Sequence, residues 1–317
     1  MSEGAAALAP TPSIGARLLA FWHGDVMWSF RRSPVAIVSF AVLVVCVVGA
    51  IFAPWIAPHN PFDLRTLSLS NSLLPPGWVD NGRAAFPLGT DDQGRDVLSG
   101  IMYGARISLL VGVASVALAI AIGVSLGLLA GYAGGKIDAF IMRVADVQLS
   151  FPAILIALLI DGVARVALPR GSHDQVAIYV LVLAIGLSNW VQYARTVRGS
   201  TMVEKSKEYV QAARVIGVTP AGIMARHLLP NVLGPVLVLA TINIATAILT
   251  EATLSFLGVG VPPTEPSLGT LIRIGNEFLF SGEWWITIFP GAALVVMVLS
   301  INLLGDWLRD ALNPRLR

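Results

Sequence analysis

Charge is what this 317-residue chain has least of. Only 13% of its residues are Asp, Glu, Lys or Arg, roughly half the 25% or so of an ordinary soluble domain. With 56% hydrophobic residues and a mean hydropathy of +0.76, that shortage excludes a disordered chain, a nucleic-acid-binding domain and an ordinary cytosolic enzyme. Cysteine is nearly absent too: Cys46 stands alone inside an apolar run, which rules out an intramolecular disulfide and a thiolate-rich metal site. The four histidines, His23, His59, His173 and His227, are scattered over different segments and form no HExxH pair. Asp91, Asp92 and Asp96 lack the calcium-loop spacing and have Arg95 among them, so no metal is expected there. There is no Gly-x4-Gly-Lys-Ser/Thr phosphate loop, no GxSxG elbow and no Ser-His-Asp order. The chain therefore hydrolyses no ATP by that route, and nothing argues for a membrane hydrolase.

What the sequence does have is long charge-free intervals. A bilayer core of about 30 Å takes roughly 20 apolar helical residues. Five intervals of that length predict spans near 35–57, 107–131, 176–194, 235–257 and 285–304. A sixth, 137–162, is long enough if Asp138, Arg143 and Asp146 sit at its polar end; the alternative is a re-entrant segment and five spans. The fold expected is an all-α polytopic membrane protein with six transmembrane helices. Ile14, Leu18, Leu19, Trp22, Val26 and Phe30 recur at helical spacing among Arg17, His23, Asp25 and Arg31, which predicts an interfacial amphipathic helix. Before it lies an Ala- and Pro-rich tail expected to be disordered. The organisation read from these patterns is a tail and amphipathic helix (1–34), a first span (35–57), a long loop (58–106), a core (107–304) containing a basic loop (195–235), and a tail (305–317). The first apolar run starts too late and runs too long for a cleaved signal peptide.

The few charges are sorted. With the N-terminus inside, the inner segments hold 14 of the 21 basic residues and eight of the 19 acids, a net +6, while the outer segments carry −3. That bias predicts cytoplasmic termini. Only one inner loop is long. In it, helix formers fill Glu204 to Ile216, Gly217 offers a left-handed stop, and Thr219 with Pro220 begins a second helix. That second helix is expected to end before Pro230 and to lie across the membrane surface, with Ile223, Leu228 and Leu229 among Arg226 and His227.

Here a family resemblance enters. Gln211-Ala212-Ala213, then Gly217, then His227, Leu229 and Pro230 resemble, in type and spacing, the EAA motif of permease subunits of binding-protein-dependent ABC importers. Gln211 replaces that motif's Glu, with Glu208 nearby, and His227 replaces the usual Ile. Pro87–Ser99, Tyr103–Leu109, Leu254–Pro263 and Asn302–Arg315 are similar to the C-type permease of the dipeptide/oligopeptide/nickel group, with departures at Gly100 and Leu268. The resemblance covers roughly residues 25–317. It implies a type I ABC importer permease fold in a bacterial inner membrane, a sister B-type permease, one or two cytoplasmic ATPase subunits that hold ATP and Mg, and an extracytoplasmic substrate-binding protein. No cofactor is implied on this chain, and no nucleic acid. It also implies an ATPase-coupling surface formed by Glu208, Gln211, Ala212, Ala213, Arg214, Gly217, Pro220, Arg226, His227, Leu229 and Pro230. Substrates carried by the group range from peptides to nickel chelates, glutathione-like compounds, sugars and opines.

Three clusters remain. Ser115, Ala119, Gly123, Gly127 and Gly131, each four apart, form a flat face suited to close helix packing rather than a substrate groove. Asn243, Thr246 and Thr250, with Thr253 close by and Glu251 one residue off, form a polar stripe in the fifth span, expected on the translocation path or in helix–helix hydrogen bonds. Asp138, Arg143 and Asp146 are expected to form an anchoring ion-pair cluster, and Asp161 and Asp174 to be solvated. An ion-driven secondary transporter, the reading from another class, would require internal repeats with broken helices and midplane charges. No such repeat is visible.

Overall fold

The computed structural model of the chain describes residues 25–63, 67–167, 169, 173–262 and 264–311. The readings for the Ala- and Pro-rich start, for Ile14 to His23 and for Asn313 to Arg315 fall outside them. The first element, α1, runs over Asp25–Arg32. Ser33 then caps α2 (Pro34–Ile51), its side chain accepting the Ala36 N–H with Pro34 in the first turn. The first span is shorter than expected, because the helix breaks at Phe52 before a four-residue turn, α3 (Ala53–Ile56).

Asp96 caps α4 (Val97–Ala133), whose 37 residues begin well before the predicted start at 107. Arg106 had marked the end of the apolar run, but it lies on the exposed side of a continuing helix. Next come α5 (Gly135–Leu149) and α6 (Ala153–Ala167), bent by 92° relative to each other. Pro152 lies in the gap; lacking an N–H and disfavouring a helical residue before it, it explains the break. After it come α7 (His173–Glu204), α8 (Glu208–Val215), α9 (Pro220–Phe256), α10 (Leu268–Phe278) and α11 (Trp285–Ala311). The last helix takes in Gly305 to Ala311, which were expected in a tail.

The small-residue face decides how the helices cross. A Cβ on Gly123 would sit 2.5 Å from the Trp190 carbonyl oxygen, one on Gly127 2.6 Å from that of Ala194, and one on Gly131 2.7 Å from Thr201 Cβ. Ala119 is likewise buried. Position numbers rise together along both helices, so α4 and α7 are parallel and packed nearly backbone to backbone. Two parallel helices need a return crossing between them, and the α5–α6 pair supplies it. The sixth crossing is therefore a bent span rather than a re-entrant loop.

One cluster of buried apolar residues, including Ile185, Tyr193, Val197, Ile223, Leu228 and Val232, joins α4, α7, α8 and α9. A second, with Ala50, Ala105, Ile248, Leu268 and Met297, joins α2, α4, α9, α10 and α11. The outside is as apolar as the inside: Val45 is 71% exposed and Val166 89%. Such a surface requires lipid or a partner chain around it.

Candidate functional site

The basic loop departs from a single Glu204–Ile216 helix: residues 205–207 form a turn between α7 and α8. Helical phase gives the reason. The buried face of α7 ends on Val197 and Thr201, and an unbroken helix would next turn Lys205, Glu208 and Ala212 inward. The turn resets the phase, so Val210 and Ala213 pack into the core (0% and 3% exposed) while Glu208, Gln211, Ala212 and Arg214 face out. Val215 and Ile216 are also exposed, at 87% and 78%.

The end of α8 behaves as expected. Gly217 adopts φ +83°, the Val218 N–H donates to Ala213 O and the Gly217 N–H to Arg214 O. That pair of bonds satisfies the last carbonyls as a left-handed glycine stop does. Thr219 accepts the Gly222 N–H, with Pro220 in the first turn.

The next element does not end before Pro230. It passes through a π-helical stretch, Ile223–Leu228, straight into the span. The Leu229 N–H reaches back five residues to Met224 O, and this wider turn leaves room for a proline ring that would otherwise press on the carbonyl four residues back. Ile223 and Leu228 are 1% and 0% exposed, so they point into the bundle and do not lie across a membrane surface. Of the remaining motif residues, Pro220, Arg226 and Pro230 are exposed, and His227 and Leu229 half-buried.

Several contacts fasten this loop to the bundle. Lys205 Nζ donates to Gly131 O at 2.6 Å, Gln211 Nε2 to Lys205 O at 3.3 Å, and the Arg214 guanidinium lies 5.3 Å from the Tyr132 ring centre. Sequence reading missed the contact made by Tyr209. Its hydroxyl donates to Glu204 Oε2 at 2.7 Å and accepts from Asn231 Nδ2 at 3.2 Å. The three residues lie on three elements at no helical spacing, so no periodicity could join them.

The acids of α5 find partners on α7. Arg198 holds both Asp138 oxygens and Arg195 meets Asp146, whereas Arg143 is exposed. The cluster expected within α5 is thus a set of cross-links between helices. Asp161 is 2% exposed rather than solvated, with the Arg165 side chain against it at 2.6 Å.

The polar stripe of α9 divides. Thr246 and Thr253 are exposed and Thr250 half-buried; each hydroxyl donates to the carbonyl four residues back, so none needs another partner. Asn243 is buried. Glu251, expected to join the threonines on the path, is 0% exposed. Its carboxylate accepts the hydroxyls of Ser108 on α4 and of Ser255, each at 2.7 Å. Ser108 Oγ also takes the Leu268 N–H at the start of α10, so this acid clasps α4, α9 and α10 together.

At the same end of the bundle, the 87–99 segment is a folded platform. Asp91 accepts from the N–H groups of Gln93 and Arg95 and from Arg95 Nε, and Trp285 Nε1 donates to Thr90 O at 3.1 Å.

Comparison with known proteins agrees with this geometry. A family described as "Binding-protein-dependent transport system inner membrane component" matches residues 123–317, and the N-terminal TM domain of oligopeptide transport permease C matches residues 20–76. The dipeptide transport system permease protein DppC of Escherichia coli K12 is 41% identical over 317 residues, 100% of this chain and 99% of that protein. The oligopeptide transport system permease protein OppC of Bacillus subtilis is 36% identical over 321 residues, covering 100% and 97%. Among solved structures, an inward-facing form of the MetNI methionine ABC transporter matches with a TM-score of 0.53 at 20% identity, over 68% of this chain and 96% of that one. That likeness concerns the fold alone. With a family match over more than half its length and relatives aligned from end to end, the chain belongs to the binding-protein-dependent inner membrane transport components, as a peptide-type ABC importer permease.

Proposed function

We propose that this chain is the C-type permease of a di- or oligopeptide importer, forming the translocation path with a sister B-type permease. The threonine face of α9, with Thr246 and Thr253 exposed and Thr250 half-buried between them, is its contribution to that path; Asn243 and Glu251 serve packing instead. Helix α8 is the contact for one or two cytoplasmic ATPase subunits, which bind ATP and Mg. Both termini, α8 and the basic residues face the cytoplasm, in keeping with the +6 and −3 division of charge. The opposite end, with the 87–99 platform and α10, meets a soluble binding protein that delivers the peptide. Substrate class follows the relatives, whose names specify dipeptide and oligopeptide transport.

One observation carries the reading. A short helix is locked inward by Val210 and Ala213 while Glu208, Ala212, Val215 and Ile216 stand free of the bundle and Gln211, though bonded to the Lys205 carbonyl, faces out with them. A rigid element with an unpartnered face moves as a body when something grips it. The test is site-specific cross-linking in a Cys46→Ser background. Gln211→Cys should link to a co-expressed ATPase subunit, and Asp80→Cys, on the long loop, should not. A link from Asp80→Cys alone would reverse the orientation, and none from either would remove the coupling role. Mass spectrometry of ligand retained by the binding protein tests the substrate, with a nickel chelate or a sugar as the contrary outcome.

A further inference from the structure

Helix α8 is joined to its neighbours by two short turns, residues 205–207 and 216–219. Val210 and Ala213 seat one side of α8 in the core, but the two turns still let the helix rock about that seat, which would dissipate part of a displacement before it reached the spans. Tyr209 in the first turn of α8 closes that gap. Its hydroxyl donates to Glu204 Oε2, at the last residue of α7, and accepts from Asn231 Nδ2, in the first turns of the α9 span. Both partners are held in turn. Glu204 Oε1 accepts from Lys207 Nζ at 2.6 Å, and Asn231 Nδ2 also donates to His227 O at 2.7 Å. Partial desolvation of a side chain that is still 36% exposed, reinforced by the bond to Glu204 and its charge, pushes the Tyr209 phenol up to about 12.

We infer that Tyr209 is a positioning residue whose hydroxyl completes the joint begun by the Val210 and Ala213 packing, so that α7, α8 and α9 move as one body when force is applied to α8. The inference rests on the coupling role proposed above and assigns its transmission to named atoms. One oxygen, acting as donor on one side and acceptor on the other, ties the helix to both flanking spans.

The test uses the assembled importer with its binding protein in proteoliposomes, measuring peptide taken up per ATP hydrolysed. Tyr209→Phe keeps the ring and deletes both bonds, one of them to an ionised acceptor, and should lower that ratio about tenfold while hydrolysis persists. Glu204→Gln keeps an acceptor oxygen for the phenol and should stay near the parent ratio, whereas Glu204→Ala should match Tyr209→Phe. A parent ratio in Tyr209→Phe, or an equal loss in Glu204→Gln and Glu204→Ala, would overturn the inference and leave the coupling role standing. Failure of the parent chain to capture any ATPase would sink the coupling role itself. Hydrogen exchange on the full chain in nanodiscs provides a readout that does not depend on assembly. Tyr209→Phe should speed exchange in both turns, and unchanged exchange counts against the joint.

Discussion

Gly127 lies so close to Ala194 that a Cβ added to it would meet the Ala194 carbonyl oxygen at 2.6 Å. No side chain relieves that contact, because both sides are backbone. Gly127→Ala should therefore force α4 and α7 apart and cost roughly 1–3 kcal/mol, read as a lower unfolding temperature in detergent. Gly199→Ala on the same α7 is the control: nothing lies within 4 Å of its Cβ position, so it should be neutral or slightly stabilising.

Glu251 is the second constraint between spans. Replacing it with Leu removes the acceptor for two buried hydroxyls, Ser108 and Ser255, each costing about 1–3 kcal/mol if left unpaired. The triple variant Glu251→Leu, Ser108→Ala, Ser255→Ala should recover only part of that loss, because the two hydroxyls also accept the Leu268 and Val261 N–H groups. Thermal stability, together with protease sensitivity near α10, measures both.

Gly217→Pro should leave membrane insertion intact and abolish ATPase capture. Proline cannot reach φ +83°, and it also deletes the N–H that Gly217 donates to Arg214 O. A pull-down with the co-expressed ATPase, scored against the amount of membrane-inserted chain, separates the two effects. Normal capture would contradict the role given to α8.

Alkaline pH should release the Tyr209 joint. Its phenol ionises near 12 in the folded chain, against an ordinary value of 10. The stability it contributes is thus complete below about pH 10 and is lost as pH rises toward 12. The difference in phenolate absorbance between the parent chain and Tyr209→Phe should titrate in that upper range; a difference titrating near 10 would mean the phenol is free.

Legibility in the sequence followed locality. The spans could be read because lipid tolerates few charges, and Gly217, Thr219 and Pro220 because their conformational roles are local. The face of Gly123, Gly127 and Gly131 was legible as a period, but whether its partner lay within the chain or on a sister permease was not; the structure places α7 there. What escaped depended on distant chain. Asp138 and Asp146 pair with Arg198 and Arg195 some fifty to sixty positions on, not with the Arg143 beside them. Glu251 is buried because Ser108, 143 positions away, is there to receive it. Pro230 read as a helix end because proline breaks α-helices, yet a π turn absorbs it.

The bend between α5 and α6 bears on how the protein is made. Each half has 15 residues, about 22 Å of helix, too short to bridge a hydrocarbon core of about 30 Å. Neither half is a good substrate for the insertion machinery when it first emerges from the ribosome. The polar end of the crossing is held by α7, which seats against the glycine face of α4 and whose Arg195 and Arg198 pair with the α5 acids. The contacts that hold the earlier, bent crossing thus come from a helix later in the chain.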